Sequence, residues 1–582
     1  MAVLRFQTIQ NRLRQISNVE WALLILALVV GSITVQNGQW YFPDEFRYFI
    51  GGNVWMLQTW DQVPPDVVGP RTLQFMPEAL RSPLYHVLYL PATLTQWAAS
   101  GFQFHVDPAS GWAENYQWNI IPGLYNVLWY LFNGILLYRV SLKLFSHQTV
   151  ARVTWLFYIL WLPHLIFTRH MFPCIPAETF LLLSVWLLIK GIQHPPGNNL
   201  TGYKLFLWAG IAWIIHFLIY LGYYYTLIPI IAIAAWWPGQ KPTPPQRLKA
   251  AGMLLAPLAL GMLVMETFCQ FGLSMSFVTY LMELSQHINH GAFAEGWRLP
   301  WDYALAVGPV FGLILAGCTL AGAAYPWLNR EDPNRWQVGV TIWIFILMWI
   351  IHTVNSVLLH KFVVYGRTVF PTFDWLLLPA AYVLAKNLPN NFQKLSPTAL
   401  WSTITITLCV ISMGTSIADF WSQTYPRDMG QVFTYQTGIP IQNGFLHSSR
   451  SKDFSLTPAG PEGAPMVLET RSMNSKDPNT VPLGCESIAP FLKPNQPLFL
   501  LINRTHFNPV HHQNPIDPKL LHSGKLLMSA RHPLGALFYQ YEGLGPQQRQ
   551  AIRKQPFNML ALENPCRNMD NIKLRRKKPP SR

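Results

Sequence analysis

The 582 residues are 51% hydrophobic, 14% aromatic and only 12% charged, with a mean hydropathy of +0.19. A soluble domain carries about 25% charge, so halving that share while keeping long apolar runs excludes an ordinary soluble fold and points to a membrane protein. The net charge of +15 does not mark a nucleic-acid binder, because Lys and Arg lie in short loops and a terminal tail rather than in a basic stripe interleaved with aromatics.

Crossing the hydrocarbon core takes about 20 apolar residues. Val19 to Gln36 is long enough, and no small-residue cleavage site follows it, so it reads as a retained first helix. A large polar-apolar loop spans 37–118. Within it, Phe46, Phe49, Ile50, Val54 and Leu57 fall on one face of a helix from Asp44 to Trp60, as expected of a helix lying in the interface. Ser82-Pro83 opens a second helix running to about Ser100; His86, Gln96 and two prolines favour an interfacial position over a span. Further spans read at 119–139, 152–168, 172–190, 204–220, 223–237, 251–270, 303–325, 337–358, 366–386 and 398–418, about eleven in all. Gly222 separates the two shortest, and a turn there is open.

Charge orients the chain. Arg5, Arg12 and Arg14 precede the first helix, and Arg139, Lys143, Arg152, Lys190, Lys204, Lys241, Arg247, Lys249, Arg330, Arg335, Lys386 and Lys394 recur on the same side. The opposite connections carry mainly Arg169, Arg298, Lys361 and Arg367. The positive-inside rule makes the N-terminus cytoplasmic, and an odd number of spans puts the C-terminal part outside.

Residues 1–418 are thus a membrane region, 419–571 an extracytoplasmic domain and 572–582 a basic disordered tail. Strand-like runs at Met466 to Leu468, Leu498 to Ile502, Lys525 to Met528 and Ala536 to Tyr541 give that domain a small mixed α/β character. Cys485 and Cys566 lie in it and, outside the cytosol, are able to pair; Cys174, Cys269, Cys318 and Cys409 fall singly in or beside apolar runs and read as buried hydrophobes. The expected fold class is therefore mostly α, polytopic, with a small C-terminal α/β domain.

The sharpest motif is Tyr41-Phe42-Pro43-Asp44-Glu45-Phe46-Arg47-Tyr48. Two adjacent carboxylates sit just past the first span. Taken alone they are also good first-turn residues for a helix that Pro43 opens. The segment Asp44-Glu45-Phe46-Arg47-Tyr48 resembles the GT-C class of integral-membrane glycosyltransferases, and looks most like the bacterial branch of lipid A aminoarabinose transferases and protein O-mannosyltransferases. Those families share an Asp-Glu pair in the first extracytoplasmic loop, often continuing as Asp-Glu-x-Arg-Tyr. Arg81-Ser82-Pro83-Leu84-Tyr85 is similar to the Pro-Pro-Leu stretch that opens their second interfacial helix, with Ser82 in place of the first Pro. Tyr365-Gly366-Arg367 with Pro371 resembles their basic-aromatic segment before a late helix.

The resemblance implies sugar transfer from a polyprenyl-phosphate donor, with inversion, to a glycan, lipid or protein acceptor. Asp44 would be the general base and Glu45 would position acceptor or sugar. Cations must stabilise the leaving phosphate; the candidates are Arg47, Arg81, Arg169, His170, Lys361 and Arg367, with Tyr48 and Tyr365 beside them. Asp374 lies seven residues after Arg367, two turns along a common helix face. Glu178, Glu266, Asp302 and Asp374 all fall toward the outer halves of their spans; a carboxylate at a helix centre costs about 2.5–3.5 kcal/mol on insertion scales, so several at one depth suggest a polar pocket open outward. The sequence names no certain cofactor, and a divalent metal is open: Glu283, His287 and His290 share a helix face, although solvated side chains in a short polar loop are the plainer reading. No Walker loop or Gly-x-Ser-x-Gly elbow is present. That absence favours a lipid-linked donor over a nucleotide sugar.

Overall fold

The computed structural model of the protein describes residues 17–35, 80, 82–99, 120–168, 172–193, 200–236, 243–287, 301, 308–359, 370–388, 396–422, 454–456, 466–470, 484–492, 496–503, 517–530 and 559–566. They form two compact units, a helical one within residues 1–421 and a sheet-based one within 422–582.

The helical unit contains α1 (Asn18–Thr34), α2 (Pro83–Ala99), α3 (Ile120–Phe145), α4 (Gln148–Leu160), α5 (Leu162–Thr168), α6 (Cys174–Gln193) and α7 (Leu200–Ile219). It continues with α8 (Leu227–Trp236), α9 (Pro244–Leu273), α10 (Phe277–His287), α11 (Pro309–Gly322), α12 (Tyr325–Leu328), α13 (Arg335–Thr353), α14 (Asp374–Ala385) and α15 (Pro397–Ser422). Among the described residues, six helices are long and apolar enough to cross a membrane, and four shorter apolar segments accompany them. The outward faces of α9, α11 and α15 carry Leu260, Phe271, Leu320 and Trp401, all strongly exposed. Apolar surface on that scale is matched to lipid rather than water. The chain is an integral membrane protein.

Two expected spans are interrupted. The 152–168 segment breaks at Trp161, because Pro163 has no N–H to give the Ile159 carbonyl and its ring crowds that turn. The Tyr130 hydroxyl donates to the freed Ile159 carbonyl at 2.8 Å instead. In the described part of the 366–386 segment, a 3₁₀ turn at Phe370–Thr372 that contains Pro371 precedes the regular helix that starts at Asp374. Arg367 itself lies outside the described residues. Gly222 falls in a 3₁₀ stretch, Leu221–Thr226, which separates α7 from α8.

The Lys/Arg-rich connections meet at one end of the bundle. Ser17 and Glu20 cap α1 reciprocally, the Tyr138 hydroxyl donates to Glu20 Oε1 at 2.5 Å, and Arg152 Nη2 donates to Ser17 Oγ at 3.0 Å. Asn334 Nδ2 donates to the Phe145 carbonyl at 3.1 Å, and Gln193 Nε2 to that of Lys143 at 3.1 Å. Asp332 receives Tyr382 Oη at 2.7 Å, Tyr325 Oη at 2.6 Å and Lys386 Nζ at 2.9 Å. The connections that positive charge assigns to one side are thus tied together side chain to side chain.

In the sheet unit, β1 (Phe454–Leu456), β2 (Met466–Thr470), β3 (Leu498–Asn503), β4 (Lys525–Ala530) and β5 (Met559–Glu563) lie in the order β1-β2-β3-β5-β4, with β2 and β3 parallel and the other pairs antiparallel. Strand alternation puts Leu468, Leu498, Leu500, Leu560 and Leu562 on one buried face, where Leu500 pairs with both Leu468 and Leu562. The short helices α16 (Cys485–Ile488) and α17 (Pro518–Leu521) add Ile488 and Leu520 to that core. Cys485 and Cys566 form a disulfide with Cα atoms 5.6 Å apart. β1 and β5 carry no strong sequence signal; the expected strand 536–541 lies outside the described residues.

Candidate functional site

Most of the residues singled out by motif lie outside the described residues: Asp44, Glu45, Arg47, Tyr48, Arg81, Arg169, His170, Lys361, Tyr365, Arg367, Asp302 and His290. Glu283 and His287 lie one helical turn apart on α10, with their side chains also outside what is described. Glu266 is not part of a buried pocket. Its carboxylate is exposed and joins α9 to α10, accepting from the Val278 N–H at 3.0 Å and from Gln270 Nε2 at 2.7 Å.

Two of the expected acids do converge. Glu178, in the second turn of α6, and Asp374, the first residue of α14, meet His164 of α5. His164 Nε2 stands 3.5 Å from Glu178 Oε1 and 3.6 Å from Asp374 Oδ1. One donor atom from each of the three lies within 4.8 Å of the others, and all three side chains are buried. The cluster sits near the helix ends that lead into 169–171 and 360–369, the charge-poor connections.

Local chemistry fixes each member. The Tyr158 carbonyl takes the Trp161 N–H at 3.3 Å in a tight turn, and His164 Nδ1 lies 3.4 Å from it. An Nδ1–H aimed at that carbonyl leaves Nε2 bare and directed at the two acids. The Tyr158 ring packs over the imidazole with centroids 4.1 Å apart, and Phe370 meets it edge-on at 4.9 Å. Glu178 Oε2 is held from two sides, by Asn133 Nδ2 at 2.6 Å and by the Tyr158 hydroxyl at 2.9 Å. Asn133 is itself held by the Ile175 carbonyl at 2.9 Å and receives the Thr179 hydroxyl on its oxygen. Behind α6, His216 bridges the Ala177 carbonyl (Nδ1, 2.7 Å) and the Thr226 hydroxyl (Nε2, 2.8 Å).

One oxygen of Glu178 is therefore fully engaged, while the other faces His164 and the Asp374 carboxyl. Among the described residues, no N–H or hydroxyl donor reaches His164 Nε2, Glu178 Oε1 or either Asp374 carboxylate oxygen, and the Glu178 and Asp374 carboxyls meet one another. A cluster of buried polar atoms left open toward one another is unusual, since buried polar groups are nearly always satisfied. His164, Asn133, Tyr158 and His216 were not marked by any motif. The available signal was an isolated polar residue within an apolar run, which inside a membrane is a functional flag by default.

A second feature lies away from this cluster. Leu28 and Ser32 of α1, Ala92 and Thr95 of α2, and Leu124 and Leu128 of α3 line an open, apolar groove of about 390 Å³.

No family model matches the chain, and no curated protein matches it. Among solved structures it is similar to ArnT of Cupriavidus metallidurans, solved bound to undecaprenyl phosphate, with TM-score 0.47 and 11% identity, covering 94% of this chain and 98% of that one. It is also similar to the Archaeoglobus fulgidus oligosaccharyltransferase tethered to an acceptor peptide, with TM-score 0.41, 13% identity and 75% of this chain covered; the chain spans 61% of that protein's length. The same archaeal enzyme, AglB, in complex with an inhibitory peptide and a dolichol-phosphate gives TM-score 0.41 at 11% identity, over 75% of this chain and 61% of that one.

Proposed function

We propose that the protein is a glycosyltransferase that moves a sugar from a polyprenyl-phosphate donor to an acceptor at the extracytoplasmic face of its membrane. The observation that carries this reading is Asp44-Glu45-Phe46-Arg47-Tyr48 following directly on the first apolar helix, α1. Transfer needs an acceptor hydroxyl activated by a base, and cations on the phosphate that leaves. Asp44 takes the hydroxyl proton, and Glu45 positions acceptor or sugar. Arg47, Arg81, Arg169, His170 and Arg367 are the phosphate ligands, with Tyr48 and Tyr365 beside them. A single displacement inverts the anomeric carbon. The groove between α1, α2 and α3 suits an isoprenoid chain, because its walls are apolar and open.

The setting is a bacterial inner membrane, with the residues after 418 outside the cytoplasm; the Cys485–Cys566 bond suits an oxidising side. The acceptor is a glycan, a lipid or a protein. A lipid-linked-substrate transporter is a second reading, favoured by the interrupted helix α4–α5 next to buried acids.

The test is transfer from a panel of radiolabelled polyprenyl-phosphate sugars in lipid-reconstituted protein, wild type beside Asp44→Asn. A fall of about 10²-fold or more in the variant, with donor still bound, fits a general base. Equal transfer by both removes Asp44 from the mechanism. Donor movement across the vesicle bilayer without transfer favours the transporter.

A further inference from the structure

The buried trio of His164, Glu178 and Asp374 is not used by the transfer chemistry above, and its geometry stands independently of it. We propose that these three side chains form a site for one divalent cation of the zinc type, bound by one imidazole nitrogen and two carboxylates.

Four observations carry the proposal. The first is spacing. Ligand bonds of about 2.0–2.1 Å in a tetrahedron put neighbouring donors about 3.3 Å apart. His164 Nε2 lies 3.5 Å from one carboxylate and 3.6 Å from the other, a small contraction away from that edge. The second is the lack of donors. No N–H or hydroxyl among the described residues reaches His164 Nε2, Glu178 Oε1 or the two Asp374 oxygens, the two carboxyls face one another, and each side chain is at least nine-tenths buried.

The third is the surrounding shell. Metal-bound imidazoles donate their second N–H to a carbonyl or carboxylate, and metal-bound carboxylates are themselves hydrogen-bonded. His164 Nδ1 faces the Tyr158 carbonyl, and Glu178 Oε2 is held by Asn133 and Tyr158, so these two ligands present their remaining atom inward. The fourth is charge. A neutral imidazole and two carboxylates in an apolar setting are balanced by a doubly charged ion, and the described residues place no Lys or Arg in an ion pair with either acid. Nitrogen-plus-carboxylate donors suit zinc or a neighbouring first-row ion. Magnesium, which keeps several waters in an octahedral shell, fits a buried apolar setting with one imidazole and two carboxylates poorly. The three ligands come from α5, α6 and α14, so the ion would cross-link three helices.

The test is metal content of the full chain, purified in nanodiscs by a tag without histidines from cells grown with zinc. About one zinc per chain is expected, with tetrahedral bond lengths near 2.0 Å and no sulfur in its absorption fine structure. His164→Gln, Glu178→Gln and Asp374→Asn should each lose most of the zinc while magnesium content stays at background. Chelation of the wild type should lower its thermal midpoint, and zinc should restore it. Less than about a tenth of a zinc per chain in the wild type overturns the proposal, leaving a shared proton between the two acids. Equal zinc in wild type and variants, or a sulfur shell at about 2.3 Å, places the ion elsewhere and overturns it too. The wild-type stoichiometry and fine structure decide the matter even if a variant fails to fold.

Discussion

The bond between Cys485 and Cys566 closes a loop with a sequence separation of 81. Cross-linking a loop of that length removes chain entropy from the unfolded sheet unit worth about 4.5 kcal/mol at 25 °C, within the ~2–5 kcal/mol range for native bridges in small secreted domains. The folded side should change little when the bond is lost. Cys566 is also fixed by its N–H, which reaches the Ser523 carbonyl at 3.2 Å and the Ser523 hydroxyl at 3.0 Å, and it packs into the core of Leu468, Leu500 and Leu562. Asn564 adds a clamp on β3, donating its N–H to the Leu498 carbonyl at 2.6 Å and accepting the Leu498 N–H at 3.1 Å.

The Cys485→Ser/Cys566→Ser chain should therefore keep the sheet but open it about 10³-fold more often. Hydrogen exchange of the Leu500 and Leu562 amides in nanodisc-embedded full-length protein reads this directly, as a matching fall in protection. Reduction of the wild type should reproduce it, and Cys409→Ser in α15 should not. A fall of less than about 10-fold, roughly 1.4 kcal/mol, would refute the chain-entropy reasoning. Rapid thiol blocking on cell lysis gives a second reading, because a bond already formed in cells requires an oxidising compartment.

Two further outcomes follow from the helical unit. Gly210 of α7 faces the Leu254 carbonyl of α9 so closely that an added Cβ would strike backbone, with Pro257 next to it, so Gly210→Ala should lower the thermal midpoint of the nanodisc protein by separating α7 and α9, at about 1–3 kcal/mol. An unchanged midpoint would mean the two helices are not in this contact. Asp332 is pulled upward by burial, but the hydroxyls of Tyr325 and Tyr382, the Lys386 ammonium and the Asn334 N–H outweigh it and hold its carboxyl at about 2. A depressed carboxylate adds stability above its unfolded value and loses it as pH falls through the folded one. Asp332→Asn should thus cost about 2 kcal/mol at neutral pH, and the gap to wild type should close between about pH 4 and pH 2. A gap that stays constant across that window assigns the loss to packing instead.

The membrane class, the order of the apolar helices and the side shared by the basic connections were legible because hydropathy and loop charge act locally. Three strands of the sheet were legible for the same reason, since Met466 to Leu468, Leu498 to Ile502 and Lys525 to Met528 are apolar or β-branched runs. β1 and β5 were not. Phe454–Leu456 is too short to carry a pattern, and Met559–Glu563 reads equally well as helix, its strand state coming from pairing with β3 on one side and β4 on the other. Of the four acids near the spans, Glu178 and Asp374 do form a common pocket. Glu266 serves as an ordinary helix-end acceptor, a difference that depth along the chain does not encode.

The cluster of His164, Glu178 and Asp374 shows why its assembly escapes sequence periodicity. An uninterrupted 152–168 helix would satisfy the Tyr158 and Ile159 carbonyls internally and leave His164 as one more residue of an apolar face. Pro163 prevents that. The Ile159 carbonyl it releases recruits Tyr130 Oη, while the Tyr158 carbonyl takes the Trp161 N–H at 3.3 Å and also faces His164 Nδ1, which sets the imidazole so that Nε2 looks into the bundle. Pro371 acts similarly on the far side, holding Phe370–Thr372 in a 3₁₀ turn so that Asp374 starts its helix at the bottom of the same pocket. Helix interruption in a bilayer is tolerated only where side chains re-satisfy the freed backbone. Here the backbone turn at Tyr158–Trp161 also aims the imidazole. Two prolines far apart in the chain thus act as one device, and either replaced by alanine would move a ligand of the cluster before it altered the number of spans.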